Sequence, residues 1–330
     1  MVAETYSRLE RLNPLWQSAK KENFMAQGRT FRFNHVFKME SLSLHSPAKI
    51  NLMLSVHGKR EDGFHELTSL VAPLDFGDRL TVGLAGNGVD CLHCDDVQVP
   101  SAEENLIIRA AHVFRETIGE SVYFHFDLEK RIPMGAGLGG GSSNAAVALK
   151  AMNELLGRPL PLSSLVEVAA RLGSDCPLFI DSLATVMTGR GEILEPLEES
   201  LLARIRGQKV ALFKPDFSIN TAWAYGELLR RAPKFYSSAD LASARLSAFR
   251  QTGGRADLLF NSFEEAVGRK YLAIPCLLEM LRANGHRCLL SGTGSCCFAL
   301  VDGEEELRAM RQLCMEALGK SIFFIESSVI

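Results

Sequence analysis

No stretch of this chain stays apolar for the roughly 20 residues that a membrane-spanning helix needs, so no helical span is assigned. A basic excess is missing too. The 36 Lys and Arg stand against 39 Asp and Glu, a formal net charge of −3, which gives no support for a general nucleic-acid surface. Paired cysteines are absent: of eight, only Cys91-Leu92-His93-Cys94 forms a C-x-x-C. With no second pair at zinc-ribbon spacing, this favours ordinary strand thiols over a metal or redox site. Scattered cysteines without a secretory leader point to reduced thiols in a cytoplasm. Internal repeats and low-complexity tracts are also lacking. What remains is 47% hydrophobic and 23% charged, ordinary for a folded chain whose 330 residues have room for two domains.

One absence is local. No lysine occurs between Pro133 and Lys150, in a stretch otherwise suited to phosphate: Pro133-Met134-Gly135-Ala136-Gly137-Leu138-Gly139-Gly140-Gly141-Ser142-Ser143-Asn144-Ala145-Ala146. Five glycines fall within seven residues, which permits positive φ and close backbone approach at an entropic cost. Val122–Leu128 before it alternates as a strand, and Ser142–Leu156 after it reads as a helix. A glycine loop feeding a helix N-terminus offers free N–H groups and a positive dipole end to an anion. The bland alternative is a tight connection that only lets helix and strand pack closely. The missing Lys excludes the P-loop pattern. A dinucleotide fingerprint fits loosely, but it belongs in a first βαβ unit with an acidic residue closing the next strand, and Glu154 lies inside the helix. A dinucleotide-dependent oxidoreductase is therefore a remote alternative.

Taken in order, residues 1–38 are polar and mildly basic, and are expected to be a disordered or appended extension, or translation from a start upstream of the real one. From Leu44 to Val56 alternate positions are apolar, giving a strand interrupted by Pro47. Lys49 in that strand is either a lysine snorkelling from an edge or an ammonium held near phosphate or an acid. Asp62-Gly63 marks a turn delivering Phe64-His65, a pair that pattern alone assigns to hairpin packing. Asp75-Phe76-Gly77-Asp78 reads as a turn before a strand to Leu84, and Glu103-Glu104-Asn105 opens a helix to about Thr117. Pro161–Leu172 is a helix ending at Gly173, after which Ser174-Asp175 suits a capping role. Thr188–Leu194 is a turn between strands, Lys209–Phe213 a strand, and Ser218–Tyr225 leads into a helix. Residues 237–257 read as a polar surface connection. The rest gives a helix at 276–283, strand–glycine turn–strand at 289–300, a helix at 304–318 and a last strand at 321–326.

The glycine run resembles the phosphate loop of the GHMP kinases (galactokinase, homoserine kinase, mevalonate kinase and relatives), and Ser291-Gly292-Thr293-Gly294-Ser295-Cys296 resembles their third motif. Pro47-Ala48-Lys49-Ile50-Asn51-Leu52 followed by Asp62-Gly63-Phe64-His65-Glu66-Leu67 is similar to one branch of that family, which usually carries Tyr at the place of Phe64. A Phe there keeps the ring face for stacking and loses only the hydroxyl. The resemblance implies an α/β, two-domain fold: an extension over 1–43, an N-terminal domain over 44–197 resembling ribosomal protein S5 domain 2, and a ferredoxin-like C-terminal domain over 198–330, with the site in the cleft between them. It implies ATP with Mg²⁺ carried on the nucleotide, no dedicated metal ligands, and phosphorylation of the 2-hydroxyl of a cytidine diphosphate-linked methylerythritol in non-mevalonate isoprenoid synthesis. A mevalonate- or homoserine-type kinase of the same family, and a non-catalytic binding module, are the rivals. By resemblance Asp175 is the base and Lys49 its partner. Pro133, Met134, Gly135, Ala136, Gly137, Leu138, Gly139, Gly140, Gly141, Ser142 and Ser143 wrap the ATP phosphates, Asn105 and Lys130 line the adenine pocket, and Asn51, Phe64, His65 and Tyr225 hold the cytidine end. The implied enzyme is a cytoplasmic monomer or weak homodimer with no nucleic-acid or membrane partner.

Overall fold

The computed structural model describes residues 40–253 and 258–330; the extension read at 1–38 lies outside the described residues. Two long strands, β1 (Ser41–Lys59) and β2 (His65–Leu84), form an antiparallel hairpin at the heart of the first sheet. Onto it are added β3 (Cys91–Cys94), β4 (Phe124–Glu129), β5 (Thr185–Thr188), β6 (Ile193–Pro196) and, paired in parallel with β1, the short β8 (Phe260–Asn261). The second sheet is antiparallel and runs β11 (Phe323–Ser328), β7 (Lys209–Lys214), β10 (Cys297–Val301), β9 (Arg287–Leu290), the strand order of a ferredoxin-like split βαβ unit.

Period-2 patterning sets the layers. In β7, Val210 and Leu212 enter the core between the two sheets, while Ala211 and Phe213 enter the core beneath the helices Thr221–Arg230, Phe263–Gly268, Ala273–Ala283 and Glu304–Leu318. On the far side of the first sheet, Phe114, Phe124, Phe126 and the alanine-rich helix Gly140–Leu155 build a third core with helices Leu106–Ile118 and Leu162–Leu172. The small side chains of Ala145, Ala146 and Ala148 let that helix lie close to β1 and β2.

Three expectations change. Pro47 does not interrupt the first strand. The ladder absorbs it as a register shift between Pro47 and Lys49, and β1 runs on. Residues 237–253 are not a connection, since Ala239–Thr252 is a helix whose Ala242, Leu246 and Phe249, spaced four and three apart, are buried. Ser238 caps it by accepting from the Leu241 N–H at 3.2 Å, and its high alanine content favours helix over loop. The Asp75–Asp78 segment is not a turn but the middle of β2. Its carboxylates have partners that the local sequence does not contain: Asp75 accepts from the Ser327 hydroxyl and the Ser328 N–H on β11. Asp78, fully buried, accepts from Lys130 Nζ at 2.6 Å and from the Arg131 and Ile132 N–H groups at 2.7 and 2.8 Å.

Asp78 thus holds the segment leading into the glycine loop. Asp78→Ala leaves a buried ammonium and two amides without their acceptor and is expected to cost about 3–5 kcal/mol in urea unfolding, with Asp78→Asn costing less. A loss below about 1 kcal/mol for Asp78→Ala contradicts this role.

Candidate active site

The glycine loop, residues 133–139, is built on alternation. Gly135, Gly137 and Gly139 have φ of +58°, +75° and +73°. Between them Ala136 and Leu138 turn inward and are buried in the core between the sheets. A Cβ on Gly137 would lie 2.1 Å from the Ser291 carbonyl oxygen, and one on Gly139 would lie 3.0 Å from Lys49 Cγ. Glycine is required here by backbone angle and by space together.

Successive carbonyls of the loop are tied down. Met134 accepts from the Ser218 hydroxyl, Gly135 from the Ile219 N–H, Ala136 from the Cys296 N–H, and Leu138 from the Lys49 N–H. Gly137 accepts twice, from Lys49 Nζ at 3.0 Å and from the Ser291 hydroxyl at 3.1 Å. Across a trans peptide the N–H points opposite to the C=O, so the amides turn the other way. No acceptor among the described residues takes the N–H groups of residues 135–142. The last three belong to the first turn of the helix Gly140–Leu155, which starts two residues before Ser142 because Gly139 serves as its N-cap. A row of unsatisfied amides ending at a helix N-terminus suits a polyphosphate.

These amides border a cavity of about 890 Å³, at the upper end for a small-molecule site. Its walls come from β1 and β2, the glycine loop, the Ser174-Asp175 turn, the helix Thr221–Arg230 and the Gly292-Thr293 loop. Lys49 lies on the floor, 5% exposed, with β2 on one side and its backbone N–H donated to the Leu138 carbonyl of the glycine loop on the other, so it does not snorkel from an open edge. Its Nζ donates to Asn51 Oδ1 at 2.7 Å as well as to Gly137. Burial lowers its pKa, an effect that the charge of Asp175 opposes. Asp175 is half-buried on the cavity wall, no described group donates a hydrogen bond to its carboxylate, and the helix that follows takes no side-chain cap from it. The carboxylate is free to accept a proton from a bound hydroxyl.

At the other end lie Phe64, His65 and Tyr225. His65 and Tyr225 have ring centroids 4.9 Å apart, and Tyr225 meets Phe263 edge-on at 4.8 Å. Burial, with Lys59 nearby, lowers the pKa of His65 and so favours the neutral imidazole, and its Nε2 is buried with no partner among the described residues. Such an atom calls for a ligand or water. Phe64 is 49% exposed, with the Arg190 guanidinium over its ring.

Most of the residues singled out from the sequence line this one cavity: Lys49, Asn51, Phe64, His65, Lys130, the run from Pro133 to Ser142, Asp175 and Tyr225. Asn105 and Ser143 do not. Asn105 spends its side chain on the helix Leu106–Ile118, accepting from the Ile107 N–H and donating to the Pro100 carbonyl, and it is Leu106 that faces the cavity. The Ser143 hydroxyl bonds Ser46 at 2.8 Å in the buried interior and its N–H bonds Gly139. The Asn51 carboxamide is occupied by Lys49 and by Ser69. Lys130 reaches the wall with its ammonium held by Asp78. Sequence reasoning passed over Asp78 and Arg190. Asp78 could have been noticed as a carboxylate in phase with Leu74, Leu80 and Val82, and Arg190 as a cation between two glycines.

The chain belongs to the GHMP kinases: residues 105–189 match the family's N-terminal domain and residues 242–316 its C-terminal domain. Within the family its similarity is to the 4-diphosphocytidyl-2-C-methyl-D-erythritol kinases. It is 38% identical to that of Methylacidiphilum infernorum over 79% of this chain and 86% of that protein, and 35% identical to that of a Geobacter species over 82% and 93%. A crystal structure of 4-(cytidine 5'-diphospho)-2C-methyl-D-erythritol kinase superposes with a TM-score of 0.70 at 33% identity, covering 87% of this chain and 99% of that one. Homoserine kinase from Cytophaga hutchinsonii shares the fold, with a TM-score of 0.66 at 18% identity over 90% of this chain and 98% of that one.

Two glycine substitutions separate shape from cradle. Gly137→Ala is expected to destabilise the loop and abolish nucleotide binding, because backbone angle and space both forbid a Cβ. A Cβ on Gly141 meets only Leu106 Cδ1, at 3.8 Å, so Gly141→Ala should leave thermal stability unchanged or raised, alanine being the better helix former. It should nonetheless raise the KM for ATP by filling the space beside the amides. An unchanged KM for ATP in Gly141→Ala removes the phosphate from that position.

Proposed function

We propose that this chain transfers the γ-phosphate of ATP to the 2-hydroxyl of 4-diphosphocytidyl-2-C-methyl-D-erythritol, a step of non-mevalonate isoprenoid synthesis, in the cytoplasm. The observation that carries the reading is one cavity with unsatisfied amides at one end, Lys49 and Asp175 in its middle, and an aromatic end with an unpartnered His65 nitrogen. It asks for a polyphosphate, a hydroxyl to be deprotonated and a flat polar ring.

Phosphoryl transfer requires positioning and charge stabilisation above all. The amides of residues 135–142 hold the phosphates of ATP, and Lys49, kept in place by Asn51 and Gly137, sets its charge beside the acceptor oxygen. Asp175 takes the proton as the substrate oxygen bonds the γ-phosphorus, and the bond to the β-phosphate oxygen breaks to release ADP. Mg²⁺ bound with the nucleotide supplies charge neutralisation of the phosphates. Among the described residues no cluster of three or more His, Cys, Asp or Glu side chains occurs; the Ser142 hydroxyl and the Asp175 carboxylate are two of the side-chain oxygens on the cavity wall and would hold the ion together with the phosphates. The aromatic end takes the cytosine.

ADP release measured with the cytidyl substrate, mevalonate and homoserine tests the assignment. Turnover of the first alone is expected, and turnover of either other compound in its place overturns the substrate while sparing the family. In Asp175→Asn, kcat should fall by about 10²–10⁴ with nucleotide affinity retained. Because burial lowers the Lys49 pKa, the protonated amine is lost below the pH at which an ordinary lysine titrates. The alkaline limb of kcat/KM should therefore lie below pH 10.5, and activity sustained to that pH contradicts a role for charged Lys49.

A further inference from the structure

Arg190 sits in the turn that joins the antiparallel strands β5 and β6. Gly189 and Gly191 on either side have φ of +70° and +108°, and the turn is closed by the Gly191 N–H donating to Thr188 at 3.1 Å. The Glu192 carboxylate accepts the Arg190 N–H at 2.6 Å, and Leu67 on the neighbouring hairpin donates to the Gly189 carbonyl at 2.8 Å. The guanidinium lies 4.8 Å from the Phe64 ring centre, in the cation–π range. On the other side of the turn, a Cβ on Gly191 would lie 3.5 Å from Ser174, the neighbour of Asp175. The turn that carries Arg190 therefore borders Phe64 on one side and the Ser174-Asp175 segment on the other.

Four cations line the cavity among the described residues: Lys49, Lys59, Lys130 and Arg190. Lys130 is neutralised by Asp78, and Lys49 is committed to Asn51, Gly137 and the field of Asp175. Lys59 lies beside His65. Arg190 is exposed and its side chain is held by an aromatic face, with Asp62 as a more distant attraction. A diphosphate that joins a base at Phe64 to a hydroxyl at Asp175 would share the cavity with this guanidinium.

We propose that Arg190 binds the diphosphate of the substrate, its planar fork stacked on Phe64 and its outer N–H groups donating to phosphate oxygens. This rests on the substrate reading above. The test compares inhibition by CDP and by cytidine in the full-length wild type, Arg190→Met and Arg190→Lys. Arg190→Met should weaken CDP by about 10- to 100-fold, leave cytidine and the KM for ATP unchanged, and Arg190→Lys should recover part of the CDP affinity. Equal weakening of CDP and cytidine would mean that Arg190 only props Phe64, and overturns the proposal, as does no change in either. Failure of the wild type to turn over the cytidyl substrate overturns the substrate reading instead, a result seen without any variant.

Discussion

The arrangement depends on one constraint: the carbonyls of residues 134–138 are all engaged, by donors from three distant parts of the chain. A glycine-rich segment by itself samples many conformations, at an entropic cost to any single one. Here β1 holds it from below through Lys49, residues 218–219 hold it from one side, and residues 291–296 from the other. With the oxygens fixed, planarity of the peptide leaves the amides no direction but the cavity. The buried side chains of Ala136 and Leu138 add apolar anchoring to the same result.

Lys49 joins structure and chemistry in that arrangement. Its backbone N–H and its ammonium hold adjacent carbonyls of the loop, so the charge that faces Asp175 is also a peg of the phosphate cradle. Burial disfavours the charged form, and the surroundings oppose that cost with Asn51, the Gly137 oxygen and Asp175. Asn51 in turn donates to Ser69, which donates to the Met53 carbonyl, so the floor of the cavity is a connected polar chain within β1 and β2. The site is placed on long, paired strands rather than on free loops, which suits a reaction that requires positioning above all.

Much of the molecule was legible before any coordinates. Short apolar runs marked β7 and β10, which are buried on both faces, and the amphipathic spacing of Glu304–Leu318 marked its helix, which buries one. The misreadings share a cause. Asp75–Asp78 has turn composition, yet partners on β11 and before the glycine loop keep it extended. Ala239–Thr252 has loop-like polarity, yet Leu246 and Phe249 find the core between the sheets. Propensity is a weak prior that tertiary contacts override.

The sequence by itself determined the conformational menu of the central loop and the chemistry on offer. Glycines at 135, 137 and 139 alone permit its backbone, and Lys49, His65 and Asp175 are ionisable groups that the motifs supply. Only the tertiary structure decided which way the amides face, that Asn105 and Ser143 stay out of the cavity, that Asp78 neutralises Lys130, and that Arg190 stands over Phe64. These are questions of direction and partnership between residues tens to hundreds of positions apart. Local spacing encodes a residue's face on its own strand or helix, whereas the group it meets across space is set by how the two sheets pack.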